Sequence, residues 1–486
     1  MKLRDVIADL NVLALRADPD MEITGVVCDS RSVKGGELFA AIPGFTADGH
    51  RFIPKAAASG CAAVLCQTPP EIDVPYVQVK DSRLSLALAA CSFYRHPSRE
   101  MNIIGVTGTN GKTTTTFLMK QLLEKCLHVK VGLVGSVVNM IGDEAFHADH
   151  TTPESNDLQQ LFRRMADAGC TWCVMEVSSH SLALHRVAGT RFAAGLFTNL
   201  TQDHLDFHKT MEEYARAKET LFPMCDAAAG NADDPWFETV MARAPRPIYT
   251  FSARSDSANL TARNIRLLPD RVSFLALEGS ELVRTSLAMP GEFSVYNALA
   301  ALACARMAGI SLADAARALP ECTGARGRVE SVPTDGDYSI YIDYAVTPDA
   351  VENILRTLRA VAPGRLVMLF GCGGDRDKGK RAVMGRIASE LSDFVVVTSD
   401  NPRTEDPRAI IDDILPGLEQ GSTPYTVICD RREAIRFAIE NHERGDLILL
   451  CGKGHEDYQI IGHEKIHMDE REIVAEILEK RKEQQK

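Results

Sequence analysis

The sequence is poor in aromatic residues, 6% of the chain with only two tryptophans, and poor in positive charge, with 54 basic residues against 66 acidic ones in 486. The resulting net charge of −12 excludes a generic nucleic-acid binder, which would carry a basic footprint over its surface. It does not exclude a local basic pocket, because net charge speaks to solubility and non-specific partners and not to sites. Long apolar runs are missing as well. None approaches the roughly 18 residues of a membrane span, each candidate being broken by Gly, Asn or charge, so no membrane anchor is expected. The start, MKLRDVIADLNVLA, contains acidic residues and no apolar core followed by a small-residue cleavage site, unlike a signal peptide. The 13 cysteines are odd in number and scattered from Cys28 to Cys451, which is not a disulfide framework and predicts a reducing, cytoplasmic setting.

What is present is an ordinary globular balance, 45% apolar and 25% charged, in a chain long enough for about three domains of roughly 150 residues. Residues 1–97, with ELFAAI (37–42) and CAAVLC (61–66) between Gly- and Pro-bearing turns, read as a small α/β domain that ends at RHPSR. Residues 98–327 alternate apolar strands with helical patterns: NIIGVT, a helix from about Lys112 to Cys126, VKVGLVG, CVMEV, GLFTNL and a helix from Ser294 to Met307. That alternation predicts a parallel sheet. After the Gly-rich segment TGARGRVE, residues 328–486 carry SIYIDYA, RLVMLF, DFVVVTSD and DLILLCGKG, a second βαβ array of Rossmann type. The fold class is therefore α/β in three domains. The charged end EKRKEQQK reads as a solvated helix terminus.

The sharpest local signal is GVTGTNGKTTTT, residues 105–116, between a strand and a helix. Such a loop turns backbone N–H groups and a helix N-terminus toward phosphate, Lys112 can reach the terminal phosphates, and the Thr113 hydroxyl can hold magnesium. The general P-loop spacing is met only in part, since its first glycine would fall at Val106. Glu176, where an apolar strand ends, can order magnesium or cap the helix that follows, and the sequence leaves both open. Cys170 and Cys173 have CxxC spacing but no second pair. Asp203, His204, Asp206 and His208 crowd one segment; the histidines at i and i+4 could share a helical face, although zinc is the weaker reading without the Glu of metalloprotease helices. Lys218, in EYARAKETLF, would by itself be a snorkelling surface lysine. In the last domain, GCGGDRDKGKR, SDNPR and CGKGHEDYQ all follow apolar strands, and together they could grip a zwitterion.

TGTNGKT, EVSSH, DHLDFH, YARAKETLF, GRVE, DYAVTPDA, GGDRDKGKR, DNPR and GKGHEDYQ, in that order across residues 24–470, resemble the motif set of the Mur ligases. The likeness is strongest to those members that add the third residue of the peptidoglycan stem peptide. The resemblance implies ATP-driven amide synthesis in the cytoplasm by a monomer. The substrates would be ATP, UDP-N-acetylmuramoyl-L-alanyl-D-glutamate and meso-diaminopimelate, with Mg2+ as cofactor and an acyl phosphate as intermediate. It further implies an ATP site of Gly108, Thr109, Asn110, Gly111, Lys112, Thr113 and Thr114 with Asn297, Arg328 and Asp343. Thr113 and Glu176 would hold one magnesium, and His204 with Lys218 would serve a second, Lys218 being carbamylated in this family. Ser30, Thr151, Thr152, Ser178 and Arg186 would line the UDP-muramoyl dipeptide. Arg376, Asp400, Asn401, Pro402, Arg403, Gly452 and Glu456 would receive the amino acid, DNPR being the diaminopimelate form of its motif.

The sequence departs from the family pattern at Val346, where DYAH has histidine, at Ser294, where GxFN has asparagine, and at Arg326, where PGR has proline. Competing readings are an L-lysine-adding ligase, a ligase of the folylpolyglutamate or cyanophycin type, and a catalytically silent nucleotide-binding scaffold. The N-terminal domain and DNPR argue against the second, and Lys112, Glu176, His204 and Lys218 argue against the third.

Overall fold

The computed structural model describes residues 1–44, 47–148 and 150–484, with the side chains of residues 206 and 484 left aside. They divide into two compact units, Met1–Thr261 with Leu299–Ala318, and Ala262–Ala298 with Leu319 onward.

The first unit holds two sheets. The N-terminal one has strand order Val12–Arg16, Tyr76–Val79, Ala63–Cys66, Leu38–Ala40, Val26–Val27, and only its first pair is antiparallel. Its short apolar runs are buried between the sheet and the helix Ser82–Phe93, whose first turn is fixed by Asp81 accepting from the Arg83 and Leu84 amides. The second sheet has a parallel centre in the order Cys225–Asn231, Phe192–Phe197, Asn102–Thr107, Trp172–Glu176, Val131–Val134. These are near-continuous apolar runs because helices cover both faces, which leaves no solvent side to demand alternation. Asn102–Thr107 lies in the middle, paired Val106↔Glu176 on one side and Val106↔Leu196 on the other. The loops at residues 108–111, 177–178 and 198–201 therefore leave one carboxyl edge side by side, where parallel sheets place ligands.

The second unit is built on a six-stranded sheet ordered Glu330–Val332, Ser339–Asp343, Leu447–Cys451, Leu366–Phe370, Phe394–Val397, Tyr425–Val427. All its pairs are parallel except the first. The four apolar runs read from the sequence are its four central strands. The unit also contains an antiparallel hairpin, Val272–Glu278 with Glu281–Leu287, which the sequence reading passed over despite its alternating pattern around a Glu-Gly-Ser turn. Of the charged end, residues 479–483 lie in the last turns of the helix Glu470–Gln484, exposed except for the half-buried Arg481, and residues 485 and 486 lie outside the described residues. All 13 cysteines are free thiols, and among the described residues no helix is long and apolar enough to cross a membrane.

Candidate active site

The first unit brings its phosphate-loop residues against the carboxyl end of Phe192–Phe197. The Thr109 and Asn110 amides donate to Asn199, at 2.8 Å to its carbonyl and 2.9 Å to Oδ1 respectively, and the Thr198 hydroxyl donates to the Asn110 carbonyl at 2.7 Å. Gly108 has φ +152°, and a Cβ there would collide with Thr198 Oγ1, so the turn admits only glycine. Lys112, the first residue of the helix Lys112–Leu127, folds back over the loop and donates to the carbonyls of Gly108 and Thr109 at 2.9 and 2.7 Å. Its ammonium and the helix N-terminus thus face the same small volume, the arrangement that cradles phosphate.

Lys218 overturns the expectation of a surface lysine. It is buried, donates to the Gly108 carbonyl at 2.8 Å, and lies 4.4 Å from the centre of the Tyr214 ring. Burial, reinforced by the neighbouring Lys112 charge, pushes its ammonium well below the ordinary lysine range.

Glu176 is not a helix cap. The helix Ser179–Ala183 is capped by Ser178, which accepts from the Ser181 amide at 3.1 Å. The buried Glu176 carboxylate instead accepts from the Thr113 hydroxyl at 3.0 Å, and from both the amide and the hydroxyl of Ser136 at 2.8 and 3.1 Å. A hydroxyl and a carboxylate are the hard oxygen donors magnesium takes, so the pair Thr113 and Glu176 fits that ion.

Four of the residues expected around the muramoyl peptide lie in one hydrogen-bonded chain beside Glu176. Ser136 donates to the Thr151 hydroxyl at 3.0 Å, Thr152 donates to the Glu176 carbonyl at 2.9 Å, and the Ser178 amide donates to the Thr152 hydroxyl at 3.2 Å. Arg186 donates to the Thr152 carbonyl at 3.1 Å and pairs with Glu154. Ser30 is buried in the loop that carries Cys28, whose thiol reaches Asn156 in the helix following Thr152. Ser30 thus lies on the same side of this unit as the peptide-lining set.

His204 and His208 do not share a helical face. The helix is only Leu205–His208, and His204 precedes it with φ +54°. The two rings gather with His180, Phe207 and Tyr214, with His180 to His204 centroids 4.8 Å apart and His204 to Tyr214 6.0 Å. Tyr214 therefore stands between His204 and the Lys218 amine. Among the described residues no group of three or more His, Cys, Asp and Glu side chains is placed to hold a metal.

In the second unit, Arg328 and Asp343 come together: the buried Asp343 carboxylate accepts from the Val329 amide at 2.8 Å, and burial raises its pKa against the pull of Arg328. Arg328 lies over the Tyr344 ring, which tilts against His455. Asn297 is buried in the helix Glu292–Met307, which begins two residues before the predicted Ser294. The departures are absorbed locally. Ser294 donates to the Pro290 carbonyl at 2.7 Å, Arg326 pairs with Asp469, and the carbonyl of Val346 accepts from Lys380 at 2.8 Å.

The three polar loops of this unit converge. Asn401 donates to Glu456 at 2.8 Å, while its Oδ1 accepts from Lys453 at 2.7 Å and from the Ile460 amide at 2.9 Å. Lys453 also pairs with Glu456 at 2.8 Å. Arg403, next to Pro402, has φ +51° and lays one guanidinium nitrogen on the Gly374 carbonyl at 2.8 Å. Arg376 is exposed beside it on the loop after Leu366–Phe370. Gly452 has φ +115°, and a Cβ there would sit 2.8 Å from Asp400 Oδ2. That oxygen is buried and has no hydrogen-bond partner among the described residues, which is costly unless a ligand supplies a donor.

Sequence reasoning missed Ser136, Asn199, Tyr214 and Lys453. Ser136 closes the VKVGLVG run and Lys453 sits inside GKGHEDYQ, so strand-end position was an available signal for both. Asn199 and Tyr214 act through approaches that only the folded chain makes.

Residues 22–94 match the catalytic domain of the Mur ligase family, residues 106–305 the Mur ligase middle domain, and residues 327–454 the Mur ligase glutamate ligase domain. The chain is 46% identical over 469 residues to the UDP-N-acetylmuramoyl-L-alanyl-D-glutamate–2,6-diaminopimelate ligase of Caldanaerobacter subterraneus subsp. tengcongensis, covering 96% of each. It is 43% identical over 486 residues to the protein of the same name from Clostridium tetani, covering 99% of each. A solved structure of a ligase of that name superposes with a TM-score of 0.73 at 30% identity, covering 99% of both chains.

Proposed function

Because this chain belongs to the Mur ligase family of ATP-dependent, amide-forming ligases, we propose that it joins meso-2,6-diaminopimelate to the D-glutamate of UDP-N-acetylmuramoyl-L-alanyl-D-glutamate in cytoplasmic peptidoglycan precursor synthesis. The observation that carries this reading is the Asp400–Asn401–Arg403 loop, where a partnerless buried carboxylate oxygen, an amide bonded to Glu456 and a guanidinium lie within four residues of one another.

In this mechanism the amides of residues 108–114 and Lys112 bind the ATP phosphates, and the D-glutamate side-chain carboxylate attacks the terminal phosphoryl group to give an acyl phosphate. Thr113 and Glu176 would hold magnesium, which would supply neutralisation of the charge on the phosphoryl group. The unprotonated Lys218 amine would add carbon dioxide: its nitrogen bonds the carbon, a proton is released to solvent, and the anionic carbamate, with His204 nearby, would hold a second ion that supplies further charge neutralisation. Ser30, Thr151, Thr152, Ser178 and Arg186 hold the muramoyl peptide, and Asn297, Arg328 and Asp343 contact the nucleotide.

Asp400 Oδ2 accepts from the amino group of the incoming amino acid, and Glu456 holds the distal ammonium. Arg403, with Arg376, forks onto the distal carboxylate that lysine lacks, so lysine would leave that guanidinium facing no anion. The amine attacks the acyl phosphate and phosphate leaves from the tetrahedral intermediate. The test is phosphate release by the purified protein with ATP, magnesium and the UDP-muramoyl dipeptide. It should be fast with meso-diaminopimelate and slight with L-lysine, and equal rates would sink the specificity assignment.

A further inference from the structure

We propose that Arg431 is a positioning residue that holds the Asp400–Arg403 and Gly452–Glu456 loops in register across an intervening strand, an inference that rests on the amino-acid site assigned above. The two loops leave Phe394–Val397 and Leu447–Cys451, which are not neighbours in the sheet, because Leu366–Phe370 lies between them. The ladder of the sheet therefore does not pair these two strand ends directly; the loops meet through the Asn401, Glu456 and Lys453 hydrogen bonds and, further along, the bridge of Arg403 to Ile461. Asp400 and Gly452 nevertheless approach so closely that a single methyl group would fill the gap.

Arg431 spans that gap from beneath. It opens the helix Arg431–Glu440, its side chain is 0% exposed, and its guanidinium donates to the Cys451 carbonyl at 2.9 Å and the Ser399 carbonyl at 3.3 Å. Cys451 immediately precedes Gly452, and Ser399 immediately precedes Asp400. The remaining Nε donates to Glu470 at 2.9 Å, a carboxylate that is also 0% exposed. Only arginine supplies donors in a rigid planar fork that can serve three separate acceptors at once, and a lysine ammonium on its flexible stem would have to choose among them.

A purely structural role makes a different prediction. A buried ion pair can be replaced by well-packed apolar residues with little loss of stability, whereas losing one partner strands the other charge. The decisive variant is the double replacement Arg431→Met with Glu470→Leu, made in the full chain. Its melting temperature should stay near that of the wild type and its KM for ATP should not change. Its KM for meso-diaminopimelate should rise roughly tenfold, the scale of one lost charge-assisted hydrogen bond, and discrimination against L-lysine should fall with it. A folded double variant with wild-type KM for the amino acid overturns the proposal. Should that variant fail to fold, Arg431→Lys, which keeps the charge beside Glu470, decides in its place. It should raise the KM for the amino acid without moving that for ATP, and an unchanged KM there overturns the proposal equally. The wild-type assay separates this inference from the substrate reading: if the enzyme prefers L-lysine, the diaminopimelate assignment fails, and the same comparisons run with lysine still judge Arg431.

Discussion

Lys112 and Lys218 aim their side-chain nitrogens at one acceptor, the Gly108 carbonyl, from 2.9 and 2.8 Å. Two ammonium groups converging on one oxygen repel each other, and the one without access to water yields its proton more readily. Lys218 is that one.

Replacing Lys218 by Met should lower turnover by about 100-fold or more, since it removes a preorganised charge-bearing group from the phosphoryl site. Its effect on stability should run the other way. The folded-state pKa lies below the unfolded value, so between the two the unfolded chain binds a proton that the native chain does not, and wild-type stability rises with pH up to about pH 10. In carbonate-free buffer the Met variant should be the more stable protein at neutral pH and lack that slope, which thermal melts across pH would show. Carbon NMR with labelled bicarbonate should give a carbamate signal in the wild type and none in the variant.

Glu176→Gln keeps the shape and much of the hydrogen bonding with Ser136 while removing the charge. Turnover should fall by about 100- to 1,000-fold, and the magnesium concentration for half-maximal rate should rise. A magnesium titration of phosphate release, with circular dichroism to confirm the fold, checks both. An unchanged magnesium requirement would remove Glu176 from the metal site.

Arg403→Ala should raise the KM for meso-diaminopimelate by about 10- to 100-fold while leaving the KM for ATP alone, because a charge-assisted contact to the distal carboxylate disappears. The weak use of L-lysine should hardly change. Steady-state kinetics with each amino acid make the comparison, and a parallel loss for both would assign Arg403 to the loop's shape instead.

Gly452→Ala should cost about 1–3 kcal/mol of stability, since φ +115° strains any residue with a Cβ and the new methyl presses on Asp400 Oδ2 at 2.8 Å. The amino-acid KM should rise with it. Denaturant unfolding and kinetics on the same preparation would test the two effects together.

How much of this was legible in the sequence depended on whether a residue acts locally or through the fold. The apolar runs RLVMLF and DLILLC became the strands Leu366–Phe370 and Leu447–Cys451 because a strand covered on both faces announces itself by composition alone. The phosphate loop was equally plain, its glycines and Lys112 being consecutive. That Glu176 does not cap the following helix could not be read from sequence, since its partners Thr113 and Ser136 come from elsewhere in the chain. The burial of Lys218 was hidden for the same reason: helical spacing says which face it occupies, and not that Gly108 and Tyr214 would cover that face, so only the family resemblance marked it. Arg431 carried no signal, because two of its partners are carbonyls, which every residue has, and the third, Glu470, lies far along the chain.

The division of the chain into Met1–Thr261 with Leu299–Ala318, and Ala262–Ala298 with Leu319 onward, also governs the order in which the protein can be assembled as it is made. Chains are synthesised from the N-terminus, and domains generally fold as they emerge. The core of the first unit is incomplete with its first 261 residues alone, since Leu299, Leu302 and Ala303, buried in its returning segment, have yet to appear. That core is whole only once the segment Leu299–Ala318 has been made. A nascent chain stalled before residue 299 should therefore be digested by protease as an open intermediate, and one stalled well beyond residue 318 should resist.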